Sequence, residues 1–113
     1  MFQGIVKEGK KHGRELGFPT ANIEVSFDDV DLADGVYAAH VFVEETTYLG
    51  ALVVWQEKNM VEVHILGFDE DIYTKVIAVE AVKKVSDMVK LDSLEALKKK
   101  ISEDIEKVRS VFA

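Results

Sequence analysis

A chain of 113 residues has room for one domain, residues 1–113, and its 48% hydrophobic content with a single proline makes it a folded globular protein. The formal charge of −7 argues against a phosphate-backbone binder, whose surface must be basic, so no nucleic-acid partner is expected. Cysteine is absent, which excludes disulfides and thiolate metal centres, and no apolar run approaches the roughly eighteen residues of a membrane span. The start shows no signal-peptide pattern, and the expectation is a soluble, cytoplasmic monomer with no membrane partner.

Gly4 to Lys7 predicts a short first strand that runs into a glycine-rich stretch. "GRELGFPTANI" (Gly13 to Ile23) follows, and Gly13, Gly17 and Pro19 forbid a long helix or an uninterrupted strand there. "VYAAHVFVEE" (Val36 to Glu45) and "TYLGALVVW" (Thr47 to Trp55) are rich in β-branched and aromatic residues, and their short separation predicts an antiparallel hairpin. "QEKN" supplies the next turn. "MVEVHIL" (Met60 to Leu66) alternates, with Val61, Val63 and Ile65 on one face and Glu62 and His64 on the other. After the acidic turn "FDEDIY" (Phe68 to Tyr73), "KVIAVEAVKKV" (Lys75 to Val85) reads as another strand.

The period then changes. Leu94, Leu97, Ile101, Ile105, Val108 and Phe112 recur every three or four residues, one face of a helix of about five turns. Asp92 with Glu95 fits a capping box, and Glu95 with Lys99 and Glu103 with Lys107 are spaced to pair on the wet face. Strands followed by one amphipathic helix predict a small antiparallel barrel closed or covered by that helix.

Pro19 fixes its own φ and pushes Phe18 towards an extended conformation, so the loop is stiffer than its glycines suggest. On an extended chain Thr20 and Asn22 leave on one face. A hydroxyl and a carboxamide oxygen are hard, neutral ligands suited to Mg²⁺, which also takes waters and phosphate oxygens. Gly9, Gly13 and Gly17 permit close backbone approach to a bulky anion, and Lys10, Lys11 and Arg14 supply local positive charge. The competing reading is a surface turn in which Thr20 and Asn22 cap backbone groups. Glu62 is similarly open: most strand glutamates face water, yet one beside a metal–nucleotide can accept a hydroxyl proton.

Other motifs carry less. "GIVKEGKK" (Gly4 to Lys11) nearly matches a phosphate loop, but ends in Lys where a magnesium-binding hydroxyl is needed. His12, His40 and His64 lack the spacing of two ligands on one helical turn, and the acidic turn lacks the glycine and final Glu of a calcium loop.

In order and over almost the whole chain, "GxxxxGxxxGRELGFPTANI", "DGVYAAHV", "YLGALVV", "VEVHILGFDEDIY" and "LDSLEALKKKISEDIEKVR" resemble riboflavin kinase. This kinase module is also found in bifunctional riboflavin kinase/FAD synthetases. The resemblance implies a mainly β fold, a six-stranded antiparallel Greek-key barrel with a C-terminal amphipathic helix. It implies transfer of the γ-phosphoryl group of ATP to the riboflavin 5′-hydroxyl, giving FMN and ADP, with Mg²⁺ or a similar divalent cation. Carried over residue by residue, Thr20 and Asn22 are the metal–nucleotide ligands, Gly9, Gly13 and Arg14 belong to the flap over the nucleotide, and Glu62 is the base for the flavin hydroxyl.

Three departures stand out against the family pattern. "QEKNM" replaces a longer segment with an Ile-Gly and Pro-Thr pattern, Thr74 stands at a usual Gly, and Ser86 stands at the Arg of Leu-Arg-Pro-Glu. In the family that last region borders the flavin, so the nucleotide side matches the pattern and the flavin side departs from it. Thr20, Asn22 and Glu62 together favour an enzyme, while the altered flavin side favours the alternative, a non-catalytic flavin- or nucleotide-binding module.

Overall fold

The computed structural model describes residues 1–7, 18, 20–68 and 70–113. Six strands form: β1 (Phe2–Lys7), β2 (Ala21–Glu24), β3 (Gly35–Val43), β4 (Thr46–Trp55), β5 (Met60–Ile65) and β6 (Val76–Ser86). They close into a barrel in the order β1-β2-β5-β4-β3-β6, and every neighbouring pair is antiparallel. The β2–β3 and β5–β6 connections join strands that are not neighbours, which gives the Greek-key path. The expected β3–β4 hairpin is present, turning at Glu44 in the left-handed region, φ 56°. "QEKN" becomes one turn of 3₁₀ helix, Gln56–Lys58, closed by Asn59 at φ 51°.

Closure leaves one interior. Val6, Val41, Leu52, Val54, Val63, Ile77 and Val79 all fill it at 1% exposure or less. Alternation does the sorting: β5 buries Val61, Val63 and Ile65 and leaves Met60, Glu62 and His64 on the outer face. The strands crowd at Gly50, where a Cβ would come within 2.8 Å of a Val41 methyl and 2.9 Å of a Val63 methyl. Only glycine fits there without displacing the core.

The C-terminal helix α2 (Leu94–Val111) follows a single-turn helix α1 (Phe27–Val30) placed between β2 and β3. Its apolar stripe lies on the outside of the barrel, where Val108 packs with Val36 and Ala38 of β3 and Ala51 of β4. Both faces of β3 are thereby covered, so Gly35–Ala39 are buried without interruption. The helix begins differently from the sequence reading. Ser93, not Asp92, is the N-cap: its backbone is extended and its hydroxyl accepts the Ala96 N–H at 3.1 Å. Leu94 is also an exception to the buried stripe, at 53% exposure. Among the described residues the ion pair within α2 is Lys100–Asp104, rather than either pair expected on the wet face. No helix among the described residues is long and apolar enough to cross a membrane.

Candidate functional site

The segment after Pro19 becomes β2, and its pairing decides what Thr20 and Asn22 meet. Ala21 lies opposite Val63, and Asn22 lies opposite Glu62. Ala21 and Val63 point into the barrel, so Asn22 and Glu62 share the outer face. Directly opposed residues carry Cβ atoms roughly 4.5–5.5 Å apart, within reach of one small ligand. Forty positions of sequence separation vanish in one register.

That register continues around the barrel. Asn22 faces Lys7 on β1, Glu62 faces Val53 on β4, Val53 faces Val36 on β3, and Val36 faces Ser86 on β6. The outer surface therefore carries one row, Lys7–Asn22–Glu62–Val53–Val36–Ser86, polar at both ends and apolar in the middle. Lys7 beside Asn22 is a cation the sequence reading missed. Its only sequence signal was an exposed position at the end of β1, and its neighbour depends on the β1–β2 pairing.

Two cavities meet near this row. One, of about 410 Å³, lies at the barrel mouth between Val6, Thr20, Phe68 and Tyr73, with the carboxylates of Glu70 and Asp71 on its wall. The other, of about 280 Å³, lies between the outer face of β4 and β5 and helix α2. Its walls include Val53, Trp55, Met60, Leu97 and Ile101, and its polar groups include Thr20, Glu62, His64, Lys100 and Asp104. Thr20 lines both cavities. The Phe18 ring meets the His64 ring edge-on, with centroids 5.9 Å apart, beside this junction.

The rim of the second cavity is tied by charge. Lys90 donates to Glu57 at 2.9 Å, joining the segment before α2 to the 3₁₀ turn, and Lys58 lies over the Trp55 ring at 5.7 Å. Hydrogen bonding to Lys90 holds the Glu57 carboxyl below its ordinary range, and Lys84 does the same for Asp87.

Among the described residues no group of three or more His, Asp or Glu side chains is placed to hold a metal. A cation at Thr20 and Asn22 would complete its shell with ligand oxygens and water, which is how Mg²⁺ binds with phosphates. The residue types fit that ion: both offer neutral, hard oxygens. Gly9, Gly13 and Arg14, with Lys10, Lys11 and His12, lie outside the described residues.

Comparison with known proteins places this architecture. The sequence model of the flavokinase family, described as riboflavin kinase, matches residues 1–112. The trifunctional protein RibF/MnmA of Mycoplasmoides gallisepticum is 34% identical over 98% of this chain and 18% of its own length. The RNA-binding riboflavin kinase RibR of Bacillus subtilis is 33% identical over 99% of this chain and 51% of its own. The chain thus spans about half or less of these curated relatives. The crystal structure of riboflavin kinase from Trypanosoma brucei superposes with a TM-score of 0.68 at 26% identity, covering 96% of this chain and 76% of that one.

Proposed function

Because the chain belongs to the riboflavin kinase family, we infer that it transfers the γ-phosphoryl group of ATP to the ribityl 5′-hydroxyl of riboflavin, giving FMN and ADP. The observation that carries this reading is that Thr20 lines both cavities while Glu62, which lines the second, lies opposite Asn22 on the outer face. A donor in one cavity and an acceptor in the other would meet beside Thr20. The cavity at the barrel mouth takes the nucleotide. The apolar groove under α2 takes the flavin ring, whose flat faces suit the side chains of Val53, Trp55, Leu97 and Ile101.

Each side chain then has a task. Thr20 and Asn22 would hold a divalent cation such as Mg²⁺ beside the nucleotide phosphates. The ion supplies charge stabilisation to the transferring phosphoryl group. Glu62 accepts the proton of the 5′-hydroxyl as its oxygen bonds to the γ-phosphorus, and the bond from phosphorus to the bridging oxygen breaks to release ADP. Phosphoryl transfer depends chiefly on alignment and electrostatics, so strands that cannot slide without disrupting a closed barrel are a suitable mount. Gly9, Gly13 and Arg14 would cover the nucleotide as the flap, and residues 1–113 would act as one kinase domain.

Thr20 at both cavities and Asn22 opposite Glu62 favour a catalyst over a binding module, which has no need of a base beside a metal ligand. The test is direct: incubate the protein with riboflavin, ATP and MgCl₂ and separate the flavins by chromatography. FMN is expected, and its formation should stop on chelation of the cation. Absence of FMN with every common nucleoside triphosphate and with Mg²⁺, Mn²⁺ or Zn²⁺ overturns the enzyme reading.

A further inference from the structure

The groove under α2 holds a charged pair that the phosphoryl-transfer chemistry does not use. Lys100 Nζ lies 2.7 Å from Asp104 Oδ2 and 3.0 Å from Ser86 Oγ, and both Lys100 and Asp104 line the cavity. Asp104 is 6% exposed, and it is the buried charged residue among those described. Burying an ion pair costs desolvation that apolar side chains of the same volume would avoid. The i,i+4 spacing and the Ser86 bond fasten the helix to β6, but they leave part of the pair's bonding capacity open.

An ammonium has three donors, and Asp104 and Ser86 occupy two. Of the Asp104 carboxylate, Oδ2 takes Lys100, while Oδ1 accepts no hydrogen bond among the described residues. Nor is that oxygen sealed off, since no buried side-chain oxygen or nitrogen among the described residues lacks a partner. One donor and one acceptor thus remain on neighbouring side chains in a mostly apolar groove. Such a pair complements the O=C–N–H edge of a cyclic imide.

The position along the groove suits that role. Ser86 lies three strands from Glu62 along the outer row, about 14 Å around the sheet at ordinary strand spacing. A ligand with its reacting hydroxyl at Glu62 and a planar heterocycle under α2 would bring its far edge towards Lys100.

We propose that Lys100 and Asp104 are a specificity-determining pair that reads the imide edge of the flavin's pyrimidine ring. Lys100 Nζ donates to a ring carbonyl, Asp104 Oδ1 accepts the imide N–H, and Ser86 holds the ammonium in place. This assignment rests on the flavin reading of the groove given above.

The test compares riboflavin with 3-methylriboflavin, whose imide N–H is replaced by N–CH₃, in fluorescence titrations of the protein. Native protein should favour riboflavin by at least about tenfold, the scale of a hydrogen bond to a charged group. The double variant Lys100→Met/Asp104→Leu removes both charges without stranding either. It should bind riboflavin about 10- to 100-fold more weakly and lose most of the discrimination, with ADP affinity unchanged. A pair that only fastens the helix would change the melting temperature and leave the discrimination ratio as in the native protein, which overturns the proposal. Should the double variant not fold, Lys100→Gln, which replaces a charged donor with a neutral one, should weaken riboflavin binding about tenfold; unchanged affinity again overturns it. Native protein that is folded and binds ADP but neither flavin refutes the flavin reading itself, and this pair's assignment with it.

Discussion

Glu62→Gln separates a catalytic base from a solvated strand residue. The substitution keeps length and polarity, and the strand pairing that holds Glu62 between Asn22 on β2 and Val53 on β4 is made by the backbone. Glu62 is partly buried in the groove, so melting curves are needed to separate any change in stability from a change in rate. What the amide cannot do is take the hydroxyl proton. General-base help is worth ~10²- to 10⁴-fold, about 3–5 kcal/mol of barrier, so kcat should fall at least about a hundredfold. The Kd values for riboflavin and nucleotide should stay within a few-fold. Glu62→Asp adds a geometric check, because it withdraws the carboxylate by roughly 1.5 Å, one carbon–carbon bond. Strand β5 is paired on both sides and cannot move to compensate, and a misplacement of this size costs on the order of a hundredfold. The assay is single-turnover FMN formation followed by chromatography, with melting curves of each variant. Near-normal turnover in Glu62→Gln would refute the reasoning and leave positioning and metal charge as the whole of catalysis.

Thr20→Ala or Asn22→Asp should weaken metal–nucleotide binding, measured by titration calorimetry with Mg²⁺ and ADP, while the melting temperature hardly moves; a large melting shift would instead support the turn-capping reading. Ser93→Ala removes the α2 cap and should cost about 1 kcal/mol, seen as a melting temperature roughly 4–8 °C lower. Lys90 and Lys84 depress the carboxyls of Glu57 and Asp87, so their small contribution to stability is complete above the ordinary carboxylate range and is lost as pH falls through the lowered values. Thermal melts from pH 6 to pH 3 should show Lys90→Ala converging on the parent at the acid end, and a constant difference would exclude this linkage.

Local periodicity carries a long way in this chain. The alternation of Val61, Val63 and Ile65 with Glu62 and His64 describes a half-buried strand wherever that strand is placed, and the three-to-four spacing of Leu97, Ile101, Ile105 and Val108 describes a helix face. Both patterns are set by backbone geometry, so they are readable from neighbours in sequence. The strand β2 was harder, because four residues between a proline loop and a helix cap are too few for a period to emerge. The start of α2 depended on a single hydrogen bond, and Ser93 and Asp92 are both good caps in isolation.

The site itself was legible only as separate residues. That Thr20, Asn22 and Glu62 could matter was readable from their chemistry and from the resemblance of their motifs. That Asn22 lies opposite Glu62, that Lys7 is their neighbour, and that Thr20 borders two cavities followed from the Greek-key pairing of β2 with β5. A shift of one residue in that register would send Asn22 and Glu62 to opposite faces. The placement of Lys100 and the burial of Asp104 are of the same kind. The sequence places them four apart on a helix, as it places several other charged pairs, but only the angle at which α2 lies on β3, β4 and β6 turns this pair into the groove. Strand register and helix docking are set by the packing of residues far apart in the chain, and no local pattern contains them.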